Sequence, residues 1–245
     1  MKKIGILGGV GWASTVDYYR ALCQGANAHF AALGETSPLP APPITIESVV
    51  QAQTRKLRGV PGDDASWAGF DAVFRQALLR LQGADCDFAI IASNTPHMRL
   101  SAITDGVDMP VLSIFDATAE AAKAAGASQA LVLGTRVTMQ SDAYAQALAA
   151  RGVSANARLP EGEIDAMQDL IDTAFYGGAA PDATSRLLEI CARHAGPETL
   201  IALACTELPL AFPDNLDDAI FTSDGFWFLN PSAAHVAAAL AKALN

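Results

Sequence analysis

The chain makes one local device twice. An apolar run stops at a small nucleophilic side chain in Ile90-Ile91-Ala92-Ser93-Asn94-Thr95-Pro96-His97, and again in Ala202-Leu203-Ala204-Cys205-Thr206-Glu207-Leu208-Pro209. Each reads as a buried parallel strand that ends where a helix begins. Parallel strands need crossover connections, usually helical, so the device implies an α/β chain. In open α/β sheets, ligands bind beyond the carboxyl ends of the strands. One copy with Ser and one with Cys therefore suggest two facing half-sites around one small ligand.

Strand–helix alternation runs through the rest of the sequence. Strands are predicted at Lys3–Leu7, Ile44–Ser48, Phe88–Ala92, Val111–Ile114, Ala130–Leu133, Ala157–Leu159 and Leu200–Ala204, with a weak one near Ala219–Phe221. Helices are predicted over Ser14–Phe30, Ser66–Leu81, Asp116–Ala125, Met139–Arg151, Glu163–Phe175, Ala183–Ala195 and Pro231–Leu244. Ser14, Asp116 and Ser141 suit helix starts, and Pro231 suits a first turn. Gly5-Ile6-Leu7-Gly8-Gly9 and Leu131-Val132-Leu133-Gly134-Thr135 echo one another. Each leads into a helix bearing Thr and Tyr, and each is followed later by one nucleophile segment. We read two similar α/β lobes of roughly 100 residues each, each a mostly parallel sheet flanked by helices. The first lobe is expected over 1–113 plus about 222–245, and the second over 114–221. Leu33–Pro43 carries four prolines and reads as a loop long enough to act as a lid.

Composition narrows the function classes. Of 245 residues, 51% are hydrophobic and 17% charged, and the formal net charge is -10. The acidity excludes nucleic acid and anionic membrane surfaces as natural partners, since both demand a basic patch. No stretch approaches the roughly 20 apolar residues that cross a bilayer. The apolar N-terminal run stops at Gly8-Gly9, so it reads as a first strand and not as an export signal. Cys23, Cys86, Cys191 and Cys205 show no metal or redox-motif spacing, which fits a reducing cytoplasm. His29, His97, His194 and His235 show no ligand spacing either, so no metal is expected.

Three segments carry candidate chemistry. Gly8-Gly9-Val10-Gly11-Trp12-Ala13-Ser14-Thr15 follows a strand and opens a helix. It lacks the Lys of a P-loop and the last Gly of a dinucleotide fingerprint. Its backbone N–H groups could hold a carboxylate, or it is a tight turn without a ligand. Cys205 stands between a strand and an expected helix start, where a thiol shifts toward thiolate and becomes a nucleophile or base. Ser93 is either a site residue or a helix cap. His97 lies one helical turn beyond Ser93, and it orients the site or caps the helix.

Taken together, Gly8-Gly9-Val10-Gly11 with Ser14-Thr15, Ser93-Asn94-Thr95-Pro96-His97, Gly134-Thr135-Arg136-Val137-Thr138-Met139 and Cys205-Thr206-Glu207-Leu208-Pro209 resemble the aspartate/glutamate racemase superfamily. The resemblance covers nearly the whole chain. It implies two pseudo-symmetric lobes with the active site in the cleft between them, a homodimer, and no pyridoxal phosphate, other cofactor or metal. It further implies one thiol from each lobe flanking Cα, one removing the proton and the other returning it on the opposite face. On this reading Cys205 and Ser93 are catalytic, and Val10, Arg55, Asn94, Thr95, Thr135 and Thr206 bind the substrate. The sequence departs from the family pattern in three places. Ser93 stands where the first-lobe cysteine is usual. No basic residue stands near Asp165–Met167, where a family lysine would hold a substrate carboxylate. Asn230-Pro231 replaces the common Asp-Thr. Glu161, Glu163 and Asp165 are expected to repel an anionic side chain, leaving Arg55 as the carboxylate clamp.

The expectation is a cofactor-independent amino-acid racemase. Two alternatives stay open. One is a single-cysteine decarboxylase of a malonate-type acid on the same fold. The other is a small-ligand-binding protein that has lost turnover.

Overall fold

The computed structural model describes residues 1–60, 62–175 and 179–245. Its chain divides into two compact units, Met1–Ser113 with His235–Asn245, and Ile114–Ala234.

In the first unit, β1 (Ile4–Gly8), α1 (Trp12–Ala32), β2 (Ile44–Ser48), α2 (Gln51–Lys56), α3 (Ala68–Gly83), β3 (Phe88–Ile91) and α4 (Leu100–Ile103) follow in order. The sheet is parallel with strand order β2-β1-β3, and Ile6 of the central strand stands between Ile46 and Ile90. Successive side chains of a strand point to opposite faces. Ile4, Ile6, Phe88 and Ile90 accordingly share a core with Tyr18 and Leu22 of α1 and with Val236, Ala239 and Ala243 near the C-terminus. The opposite face receives α3, which buries Phe70, Phe74, Leu78 and Leu81. The strand expected at 111–114 shrinks to a single parallel bridge between Val111 and Ala89, because the next helix already begins at Ile114.

The second unit contains α5 (Ile114–Ala124), β4 (Gln129–Gly134), α6 (Arg136–Gln140), α7 (Ala143–Ala149), β5 (Ser154–Ala155), α8 (Glu161–Leu170), α9 (Ala183–His194), β6 (Leu200–Ala204), β7 (Ile220–Ser223) and β8 (Phe226–Leu229). Its sheet runs β5-β4-β6-β8-β7, parallel except for the antiparallel β7–β8 hairpin. One face packs Leu131, Leu133, Ile201 and Leu203 against α8 and α9. The other packs Ala130 and Leu200 against Ala119 and Ala122 of α5. The last helix, α10 (Pro231–Leu244), begins in the second unit and continues into the first.

Several boundaries differ from the sequence expectation. The sequence reading places residues 222–234 in the first lobe, but β8 pairs with β6 and Phe228 enters the second unit's core. The strand expected at Ala157–Leu159 is the two-residue β5 at Ser154–Ala155. The helix expected over Met139–Arg151 is broken at Ser141, whose backbone is extended and whose Oγ accepts from the Ala143 N–H at 3.2 Å. Asn230 Oδ1 accepts from the N–H groups of Ser232 and Ala233, so this departure from the family pattern caps α10.

Candidate active site

The candidate residues of the first unit lie beyond the carboxyl ends of its strands. Val10 follows β1, Arg55 follows β2 on α2, and Ser93, Asn94 and Thr95 follow β3. The glycine turn after β1 has a steric origin. Gly9 has φ +83°, and a Cβ there would stand 2.1 Å from the carbonyl oxygen of Val49. Only glycine fits that approach. The Gly9 N–H donates to Thr15 Oγ1 at 2.9 Å, and the Thr15 hydroxyl donates to the Gly11 carbonyl. That N–H is therefore spent on the turn and not presented to an anion. Ser14 is not the cap of α1, which starts at Trp12; its hydroxyl donates instead to the Ala92 carbonyl at 2.6 Å.

Ser93 is half-buried, and Asn94, Thr95 and His97 are buried in the 3₁₀ turn that follows. His97 Nε2 donates to the Ile91 carbonyl at 3.3 Å, so the imidazole holds the strand end that carries Ser93. Burial pushes its pKa down to about 4. His235 packs edge-on to it, with ring centroids 5.3 Å apart. His235 Nε2 donates to the Leu112 carbonyl at 3.1 Å, which leaves Nδ1 to accept from the Tyr18 hydroxyl at 3.1 Å. Burial holds His235 neutral as well. This histidine pair was missed from sequence, because 138 residues separate its members (235 − 97) and no local spacing announces it. Arg55 is exposed on the last turn of α2.

In the second unit, Thr135 leaves β4 and Cys205 leaves β6, on adjacent strands whose last residues Gly134 and Ala204 are in register. A Cβ at position 134 would lie 2.6 Å from the Ala204 carbonyl oxygen, so glycine lets the two strand ends close up. The Thr135 and Thr138 hydroxyls are hydrogen-bonded at 3.0 Å. Cys205 is buried, and its Sγ donates to Glu207 Oε2 at 3.0 Å. The Thr206 hydroxyl donates to the same oxygen at 2.8 Å. The expected helix start after Cys205 is corrected here. Only a 3₁₀ turn at Leu208–Ala211 follows, too short for a substantial dipole, and the charge beside the thiol is a carboxylate.

Arg136 makes a further pairing that sequence spacing does not announce. Its guanidinium pairs with Glu161 and Asp165 on α8, and its N–H donates to Gln168 Oε1 at 2.8 Å. Glu163 pairs with Arg193 and His194 of α9. Each of the three carboxylates expected to repel an anion thus has a basic partner, with Arg136 shared between two of them. The Gly134-Thr135-Arg136 motif contained the signal, but only packing of α6 on α8 reveals the pairing. Among the described residues, no three His, Cys, Asp or Glu side chains converge as metal ligands would.

Known proteins share this architecture. An aspartate racemase homologue from Pyrococcus horikoshii is 24% identical over 100% of both chains, with a TM-score of 0.75. The Picrophilus torridus aspartate racemase is 18% identical over 99% of this chain and 94% of its own, also at 0.75. A Francisella tularensis glutamate racemase in complex with D-glutamate is 14% identical over 99% of this chain and 81% of its own, at 0.61. Identities this low establish the fold. The sequence profile of Asp/Glu/hydantoin racemases matches residues 7–239, which is nearly the whole chain. The chain belongs to the Asp/Glu/hydantoin racemase family.

Proposed function

We propose that the protein is a cofactor-independent amino-acid racemase, with Cys205 as main base and acid and Ser93 acting on the other face of Cα. The observation that carries this reading is the buried thiol at the carboxyl end of β6 in a chain of a racemase family. A proton α to a carboxylate is very weakly acidic. A thiolate removes it, and the developing enediolate charge is stabilised by donors around the carboxylate. Val10, Asn94, Thr95, Thr135 and Thr206 are assigned to binding, and Arg55 to a carboxylate. Cys205 and Ser93 are unequal, because a hydroxyl ionises far less readily than a thiol. The relatives' names point to aspartate and glutamate as the first substrates to test.

We further assign a cytoplasmic homodimer. Trp12, Val16 and Tyr19 lie along one face of α1 and are 73%, 57% and 46% exposed, an apolar stripe that a second copy would cover. Among the described residues, no helix is long and apolar enough to cross a membrane.

A single-cysteine decarboxylase is the second reading. It is favoured by the hydrogen bond in which Cys205 acts as donor, since protonating an enediolate needs one acid and no opposite base. Incubation with L-aspartate, L-glutamate and a malonate panel in D₂O separates the two. Deuterium at Cα with the carbon skeleton retained means racemase, and loss of CO₂ means decarboxylase. Cys205→Ala should abolish either activity, and exchange at the wild-type rate in that variant would overturn both.

A further inference from the structure

We propose that Glu207 is a positioning residue that sets the proton affinity of Cys205, and so the strength of the base in the reaction proposed above. The inference rests on the racemase reading for its catalytic half only. One carboxylate oxygen of Glu207 accepts both the Cys205 thiol at 3.0 Å and the Thr206 hydroxyl at 2.8 Å. The shared acceptor fixes where both protons point. It also places a negative charge against the sulfur, in a unit whose interior around Cys205 is apolar.

Among the described residues, the charged side chains of the elements packed against the 3₁₀ turn after Glu207 are paired elsewhere or exposed. The 3₁₀ turn that Glu207 opens packs against β6, α9 and the turn at Ile171–Phe175. Those elements contribute Ile171, Phe175, Leu187 and Ile190 to the core that contains Cys205. Their charged residues point elsewhere. Asp172 is bonded to Gln168, Arg186 to Asp169, and Arg193 and His194 to Glu163, while Glu189 is exposed. Asp214, on the 3₁₀ turn that follows, is exposed too.

An anion beside a thiol disfavours the thiolate, because two like charges must then coexist. The same repulsion makes the thiolate, once formed, a stronger base. A carbon acid as weak as an amino acid's Cα–H rewards a strong base. In the step itself, the sulfur electron pair takes the Cα proton to form S–H, and the C–H pair stays on the substrate as the enediolate. Glu207 neither gains nor loses a proton. Its charge raises the energy of the thiolate and so favours the transfer to sulfur.

The test is Glu207→Gln, which keeps the length of the side chain and an oxygen for Thr206 while removing the charge. Cys205 alkylation by iodoacetamide, followed by mass spectrometry across pH 6–10, reads the thiolate directly. Its midpoint should fall by about one pH unit or more in the variant. Deuterium exchange at Cα of L-aspartate and L-glutamate should show the same displacement of its acid limb. On the alkaline plateau, exchange should fall about three- to tenfold, with KM within about twofold. An unchanged or raised alkylation midpoint, or an undiminished plateau, overturns the proposal. If Glu207→Gln does not fold, Glu207→Asp draws the charge back by one methylene and should move the midpoint the same way by less. If wild-type protein exchanges no amino acid, the racemase reading fails, and the alkylation midpoint still decides whether Glu207 governs the thiol.

Discussion

The Ser14 hydroxyl donates to the carbonyl of Ala92 at 2.6 Å, joining the first turn of α1 to the residue just before Ser93. Both groups are buried. Removing the hydroxyl leaves a buried carbonyl without this donor. Ser14→Ala should therefore cost about 1–3 kcal/mol of stability by urea unfolding. It should also lower Cα exchange more than it raises KM, because Ser93 loses a fixed support.

The buried histidine pair makes stability depend on pH in a definite direction. His97 titrates near 4 in the folded protein against 6.5 unperturbed, and His235 is lowered as well. The unfolded chain thus binds more protons below pH 6.5. The stability these histidines contribute is complete above about 6.5 and is lost as pH falls toward 4. For His97 alone the loss is of order 3 kcal/mol. His235→Gln keeps a donor for Leu112 and an acceptor for Tyr18. It should flatten the fall in urea midpoint between pH 7 and pH 5 relative to wild type, and parallel curves would remove His235 from the account.

The thiols should be chemically distinct. Burial pushes Cys191 up to about 12, so it should stay unlabelled by iodoacetamide at pH 8.5 in the folded protein. Cys205 should be labelled under the same conditions and protected by substrate. Peptide mapping by mass spectrometry reads both.

Ser93 should make catalysis lopsided. The two enantiomers of an amino acid are equal in energy, so kcat/KM must match in both directions of true racemisation. The inequality of the two bases must then appear as exchange without inversion. Ser93→Cys supplies a second thiol and should raise the inversion-to-exchange ratio measured by NMR in D₂O. An unchanged ratio would remove Ser93 from the catalytic list.

Arg55 should act on binding. It is exposed on α2, so its pairing with a substrate carboxylate is screened by water. Arg55→Ala should raise KM about three- to tenfold with kcat nearly unchanged. Equal KM values would put the carboxylate elsewhere.

The strands that carry Ser93 and Cys205 were legible because buried parallel strands are written as unbroken apolar runs. The β7–β8 hairpin also carries a signal of its own in the sequence. Asp224 and Gly225 have φ of 51° and 79° between Ser223 and Phe226, and Asp-Gly flanked by apolar residues is a strong hairpin signal. The acidic and amide residues before it masked four consecutive apolar positions, Phe226–Leu229. The contacts of Ser14 with Ala92, of His97 with His235 and of Arg136 with Asp165 were not legible. Each joins segments far apart in sequence, and its partners are chosen by packing.

The path of α10 has a consequence for how the chain matures during synthesis. Residues 114–234 form an uninterrupted unit, whereas the first unit is completed only by His235–Asn245. Val236, Ala239 and Ala243 fill its core, and the Lys2 N–H donates to the Ala243 carbonyl at 2.8 Å. On the ribosome the N-terminal strands therefore emerge first and are finished last. One apolar face of theirs is sealed only when α10 packs on it. The unit at 114–234 needs no later segment to complete its core, so the usual N-to-C order of domain folding is not built into this topology.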